Sequence, residues 1–191
     1  MLRNAPSSLI LPENPSRRRF VAGLAASLAG AAMLPAWGSV AAAAKPRELS
    51  LYHLHTGEKL KVEYYDGANY LTDALSQVNT YLRDFRTGEV HAIDPHLLDA
   101  LHDLQANLSR TGTFEIISGY RSPATNAALR KKSKRVARRS LHMQGKAMDV
   151  RLAGVDTLKL RKAAMDLHRG GVGYYAKSNF VHIDTGRVRY W

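Results

Sequence analysis

The sequence predicts an α+β fold: a small antiparallel sheet with helices packed on it. Short runs with period-two alternation mark strands, and stretches with apolar residues three and four apart mark helices. The body of the chain carries neither an internal repeat nor a low-complexity linker, which points to layers around one core. With 45% hydrophobic and 23% charged residues, the composition excludes a disordered, collagen-like or coiled-coil chain. At 191 residues the length suits one domain.

A leader comes first. Ser16-Arg17-Arg18-Arg19-Phe20-Val21 opens an uncharged stretch, Val21 to Ala44, that ends in the small residues Ala42-Ala43-Ala44. A basic segment, an apolar segment and an A-x-A site form an export signal. The paired arginines resemble the twin-arginine motif read by the translocase that exports folded proteins. The expected division is therefore a signal peptide over 1–44 and a domain over 45–191. An uncleaved membrane anchor is the alternative, although Gly23, Gly30, Pro35 and Gly38 make a poor spanning helix. The domain keeps 24 Lys and Arg against 15 Asp and Glu, or +9. Such charge implies a polyanionic neighbour, and a periplasmic setting favours a cell-wall polymer over nucleic acid.

Each element of the domain has its own signal. Glu48 to Tyr65 alternates around Thr56-Gly57, as a hairpin does. From Tyr70, the apolar positions Leu71, Ala74, Leu75, Val78, Leu82 and Phe85 predict a helix that Gly88 stops. Asp94-Pro95 caps and starts a second helix, 95 to about 110. Thr113–Ser118 reads as a strand ending at Gly119, so Tyr120 and Arg121 lie at a strand end. Ser122-Pro123 starts a helix through Arg130. Gly145 to Leu152 alternates again, with Asp149 on the face opposite Met148, Val150 and Leu152. Asp156 to His168 is helical, and Val172–Tyr175 and Asn179–Asp184 close the sheet as two strands.

The absence of Cys rules out disulfides and Cys-ligated clusters, so any zinc site must use His and carboxylate. An open catalytic site takes three such ligands. His142 and Asp149 stand seven residues apart with Gly145 between them to turn the chain. His182 is the third candidate, sharing a strand face with Phe180 and Asp184. Singly, each also fits an ordinary hydrogen-bonded histidine or a salt-bridged aspartate. His53, His55, His91, His96, His102 and His168 occupy surface-type positions without ligand-like partners.

Taken together the candidates form a motif. Ser140-Leu141-His142-Met143-Gln144-Gly145-Lys146-Ala147-Met148-Asp149 matches S-x-H-x-x-G-x-A-x-D. It resembles the first zinc motif of the D-alanyl-D-alanine metallopeptidases, whose superfamily includes the hedgehog fold. Ser118-Gly119-Tyr120-Arg121-Ser122 is similar to a second segment of that family. With the leader, Leu54 to Glu58, Gly170 to Tyr175 and Asn179 to Gly186, nearly the whole chain resembles the MepK type of murein endopeptidase. The resemblance implies one Zn2+ per chain on His142, Asp149 and His182. It also implies hydrolysis of peptide cross-links in peptidoglycan, between D-alanine and meso-diaminopimelate or between two diaminopimelates. Arg121 would bind the developing oxyanion.

The base is the missing part. Related enzymes carry Glu or His at the positions of Asn179 and Phe180. Asp184 therefore either takes the proton or orients a zinc-binding histidine from behind, and the second role is preferred. Tyr174 and Tyr175 are expected to line the cleft and contact substrate, with core packing the alternative for at least one. Residues 130–139 hold seven Lys and Arg without an interleaved aromatic, which suits a solvated loop bordering the cleft better than a nucleic-acid site. A non-catalytic zinc-containing module that binds peptidoglycan is the alternative function.

Overall fold

The computed structural model describes residues 44–191, so the leader expected over 1–44 lies outside the described residues, Ala44 apart. Seven strands and four helices follow: β1 (Arg47–His53), β2 (Lys59–Tyr65), α1 (Thr72–Tyr81), α2 (Pro95–Asn107), β3 (Thr113–Ser118), α3 (Pro123–Lys132), β4 (Ala147–Leu152), α4 (Thr157–Asp166), β5 (Gly171–Tyr175), β6 (Phe180–Asp184) and β7 (Arg189–Tyr190). They form one sheet in the order β2-β1-β3-β4-β6-β5-β7. The class is α+β. Among these residues no helix is long and apolar enough to cross a membrane.

The sheet is mixed rather than antiparallel. β1 runs parallel to β3, and β5 parallel to β7. The first pairing arises because the chain reverses once at the hairpin into β2 and again through α1 and α2 before β3 lies beside β1. β7 carries only two residues and no alternation, so it left no signal in the sequence.

Apolar residues of alternate strand positions meet the helices on one side. Leu49 and Leu51 of β1, Phe114 and Ile116 of β3, and Met148, Val150 and Leu152 of β4 are buried with Leu97, Leu101, Leu104 and Leu160 of α2 and α4. The other side of β4 and β6 is therefore free to carry polar groups. Those groups form the site.

Two helices end earlier than the apolar spacing predicts. The apolar spacing from Tyr70 ran on to Phe85, yet α1 stops at Tyr81. Asp84 turns inward there, and its carboxylate accepts the Arg86 and Ser122 N–H groups at 3.0 and 2.9 Å, a local competitor to the helix. Phe85 stacks on His55, ring centres 4.4 Å apart. α2 has the expected cap, with the Asp94 side chain accepting from the His96 N–H at 3.0 Å and Pro95 opening the helix, but ends at Asn107, before Ser109 with φ of 49°.

His53 corrects a second expectation. It is fully buried, and its Nδ1 accepts the N–H groups of His55 and Thr56 at 3.2 and 3.3 Å. It ties down the hairpin turn, and burial lowers its pKa.

Asp99 of α2 anchors the hairpin to the helix layer. It accepts from Arg47 at 2.5 Å, from Tyr70 at 2.5 Å and from the buried Tyr64 hydroxyl at 3.1 Å. Burial disfavours its charge, but the bonds from Tyr70 and Arg47 outweigh this and hold the carboxyl below its usual range. Asp99→Ala leaves the Tyr64 hydroxyl unpaired and is expected to cost about 1–3 kcal/mol, read as a lower urea midpoint. Because folding lowers this pKa, the contribution is present above about pH 4 and fades as acid protonates the folded carboxylate. The stability difference between wild type and variant should shrink accordingly at low pH.

Candidate metal centre

His142, Asp149 and His182 are the one group of three ligand-type residues that converge among the described residues. One ligand atom from each lies within 4.8 Å of the others, and all three residues are buried. Strand register sets two of them. Asp149 of β4 stands directly opposite His182 of β6, so both project from the face away from the helices. The third arrives on a single 3-10 turn, Leu141–Gln144. Gly145 ends that turn at φ 65°, and a Cβ there would come within 2.0 Å of the Ala92 carbonyl oxygen. Only glycine fits.

Each imidazole is held by the nitrogen that faces away from the cluster. His142 Nδ1–H donates to the Gly119 carbonyl at 2.8 Å, leaving Nε2 directed at the other two residues. His182 Nδ1 meets Asp149 Oδ1 at 2.8 Å, and its Nε2–H donates to Asp184 Oδ2 at 3.0 Å. Fixing the remote nitrogen sets the tautomer and ring orientation of a metal-binding histidine. Two such nitrogens and a carboxylate oxygen fit a divalent cation of the zinc type, with room left for a reactant.

Asp184 is itself saturated. Oδ1 accepts from the Gly171 and Gly186 N–H groups and from Arg189 Nη1 at 3.1, 2.9 and 2.9 Å, while Oδ2 accepts from His182 and from Arg189 Nη2 at 2.7 Å. Its side chain is fully buried. Burial would raise its pKa, but the bonds from His182 and Arg189 keep it well below the carboxylate range. Asp149 behaves likewise, its burial penalty outweighed by His142 and His182. Burial pushes His142 down. It would also lower His182, yet the bonds to Asp149 and Asp184 prevail and push that ring up to about 9.

Arg121 leans over the cluster from the end of β3. Its Nη2 lies 3.5 Å from Asp149 Oδ2 and 3.4 Å from Ser118 Oγ. The side chain is 12% exposed, and Nε has no partner. The buried guanidinium is thus incompletely hydrogen-bonded. These residues floor a cleft of about 480 Å³, walled on one side by Tyr175, Phe180 and Trp191. Tyr175 stacks on Phe180 at 4.6 Å and accepts from the Trp191 indole at 3.1 Å.

Tyr174 does not line the cleft. Alternation along β5 turns it to the other face, opposite Val181, where it packs against the core. Only Tyr175 lines the cleft. Asn179 has φ of 51° and accepts from Thr157 at 2.8 Å, facing α4. Trp191 and Arg189 were missed. The Trp191 ring centre lies 5.3 Å from that of His182, and Gly173 is required beneath it, since a Cβ there would come within 2.5 Å of the indole. Neither residue sits in a motif, and only the return of β7 brings them to the site.

Comparison with known proteins assigns these features to the class of peptidases. A family profile described as peptidoglycan L,D-endopeptidase MepK matches residues 41–191. The chain belongs to this family. The peptidoglycan L,D-endopeptidase MepK of Escherichia coli K12 is 44% identical over 177 residues, which cover 92% of this chain and 97% of that protein. The probable peptidoglycan L,D-endopeptidase MepK of Haemophilus influenzae is 44% identical over 148 residues, 77% of this chain and 80% of its own length. No solved structure matches.

His142→Ala, Asp149→Ala and His182→Ala are each expected to abolish metal retention, measured by elemental analysis of the purified proteins. A variant that keeps wild-type metal content is not missing a ligand.

Proposed function

We propose that this chain is a zinc-dependent murein endopeptidase that hydrolyses peptide cross-links of peptidoglycan in the periplasm. The observation that carries the reading is the buried His142/Asp149/His182 cluster at the floor of an arginine-rich cleft, in a chain of the peptidoglycan endopeptidase family. The L,D specificity in the relatives' names favours the cross-link between two diaminopimelates, which joins an L-centre carbonyl to a D-centre amine. The twin-arginine leader supports export of the folded protein by the twin-arginine translocase.

In this reading His142, Asp149 and His182 would hold one Zn2+. When bound, the ion would polarise the scissile carbonyl and lower the pKa of water to near neutrality. Arg121 supplies fixed positive charge for the oxygen that becomes negative, with its loosely held Nη2 as the donor. Asp184 acts as a positioning residue. With five donors around it and no exposed surface, it orients His182 and is not free to accept a proton from the reaction. Among the described residues that line the cleft there is no Glu and no His beyond the two ligands, so proton transfer relies on Asp149 itself or on solvent. Tyr175 and Trp191 form a wall against which the peptide rests.

Cross-linked muropeptide dimers digested with and without chelator test the activity. One zinc per chain with chelator-sensitive cleavage is expected; zinc without cleavage would leave a peptidoglycan-binding module instead. Arg121→Ala should lower kcat by about 10²–10³ while zinc stays bound, the size of effect seen when one oxyanion donor is removed. Asp184→Asn should weaken zinc binding by about 10–100-fold in a chelator competition. Unchanged affinity with slowed hydrolysis would return Asp184 to the role of base.

A further inference from the structure

We propose that Arg135 and Arg139 form a carboxylate subsite that grips the free carboxylate on the amine side of the scissile bond, a proposal that rests on the murein endopeptidase reading. The chemistry of the substrate supplies the ligand. When a cross-link uses the D-centre amine of diaminopimelate, the same carbon keeps a free carboxylate. A negative charge therefore sits one carbon from the amide nitrogen in either type of cross-link.

The cleft has the matching charge in the matching place. Of the seven Lys and Arg in residues 130–139, only Arg135 and Arg139 line it. The other cleft arginines are engaged: Arg189 spends both terminal nitrogens on Asp184, and Arg121 faces Asp149. Arg135 and Arg139 pair with no carboxylate among the described residues. With Arg189 set against Asp184 and Arg121 against Asp149, Arg135 and Arg139 leave the lining a formal +2, which calls for an anion. A guanidinium fork suits a carboxylate, which it can bind through two parallel bonds.

The loop that carries the pair is tethered. Asn126 of α3, 2% exposed, donates from Nδ2 to the Ala137 carbonyl at 3.1 Å, midway between the two arginines. Ser133 closes the near end, its N–H bonded to Leu129 O at 2.9 Å and its hydroxyl accepting from the Arg135 N–H at 3.2 Å. Arg130, Lys131, Lys132, Lys134 and Arg138 of the same run do not line the cleft. The two that do line the cleft ride on a backbone tethered at Arg135 and Ala137.

The test compares cross-linked muropeptide dimers whose D-centre carboxylate is free with dimers in which it is amidated, cleaved by the wild type and by the Arg135→Gln/Arg139→Gln double variant. The wild type is expected to prefer the free carboxylate, and the double variant to lose about tenfold or more of that preference in kcat/KM. The loss should appear in KM rather than kcat, as for a contact made equally in ground and transition states. A preference unchanged from wild type overturns the subsite, including the case in which both rates fall together through lost long-range attraction. Should the wild type cleave neither dimer, the endopeptidase reading fails on its own. The same ratio, taken from calorimetric dissociation constants for the two dimers, then decides the subsite: a tenfold drop sustains it and equality removes it.

Discussion

The register between β4 and β6 is the constraint on which the site depends. Asp149 stands opposite His182 while Met148 stands opposite Ile183, so one pairing serves the polar cluster and its neighbour serves the core. A slip of one residue would turn one strand over relative to the other, burying either Asp149 or His182 on the helix side and presenting either Met148 or Ile183 to the cleft. The apolar face is what prevents this, because Met148, Val150, Val181 and Ile183 are all buried under the helices. Core packing thus positions the site, although no core residue touches it.

A cluster of two imidazoles and two carboxylates is costly to bury unless every charge is paired and hydrogen-bonded. Here the compensation runs outward in layers. Asp184 steadies His182, Arg189 and two backbone N–H groups steady Asp184, and the Gly119 carbonyl steadies His142. The glycines around Asp184 are part of this arrangement. A Cβ on Gly171 would come within 2.5 Å of Asp184 Oδ2, so a larger residue would displace the carboxylate that orients the ring. The same network leaves Asp184 without a free lone pair for reaction chemistry.

The cleft is asymmetric, and its two sides have different physical origins. Tyr175, Phe180 and Trp191 come from the sheet edge, where β7 pairs in parallel with β5 and lays the indole over Gly173. The cationic side comes from the end of β3 and from the loop after α3. An aromatic wall facing fixed positive charge suits an extended peptide that bears carboxylates. Asn126 connects this second side to the fold, since it is a buried polar side chain that donates to the arginine loop.

Much of this was legible in the chain itself, wherever a local rule had no competitor. The hairpin, the capped start of α2, strand β3 and the alternation of β4 followed from spacing and turn chemistry. The three converging residues His142, Asp149 and His182 were legible because a ten-residue motif and one strand histidine carry them. Elements controlled by distant groups were not: α1 ends where Asp84 turns toward Ser122, and His53 packs against the rings of Tyr81 and Phe85. Tyr174 and Tyr175 are adjacent and alike in sequence, and only the pairing of β5 with β6 separates a core residue from a cleft residue. By itself the sequence determined the α+β class and the chemistry of the donor set, because residue type and local periodicity are written in the chain. Tertiary structure alone decided the mixed sheet, the saturation of Asp184 by Arg189 and the presence of Trp191 beside His182. Those depend on which strand edges meet, and hydrogen bonding between edges brings together residues that no local pattern relates.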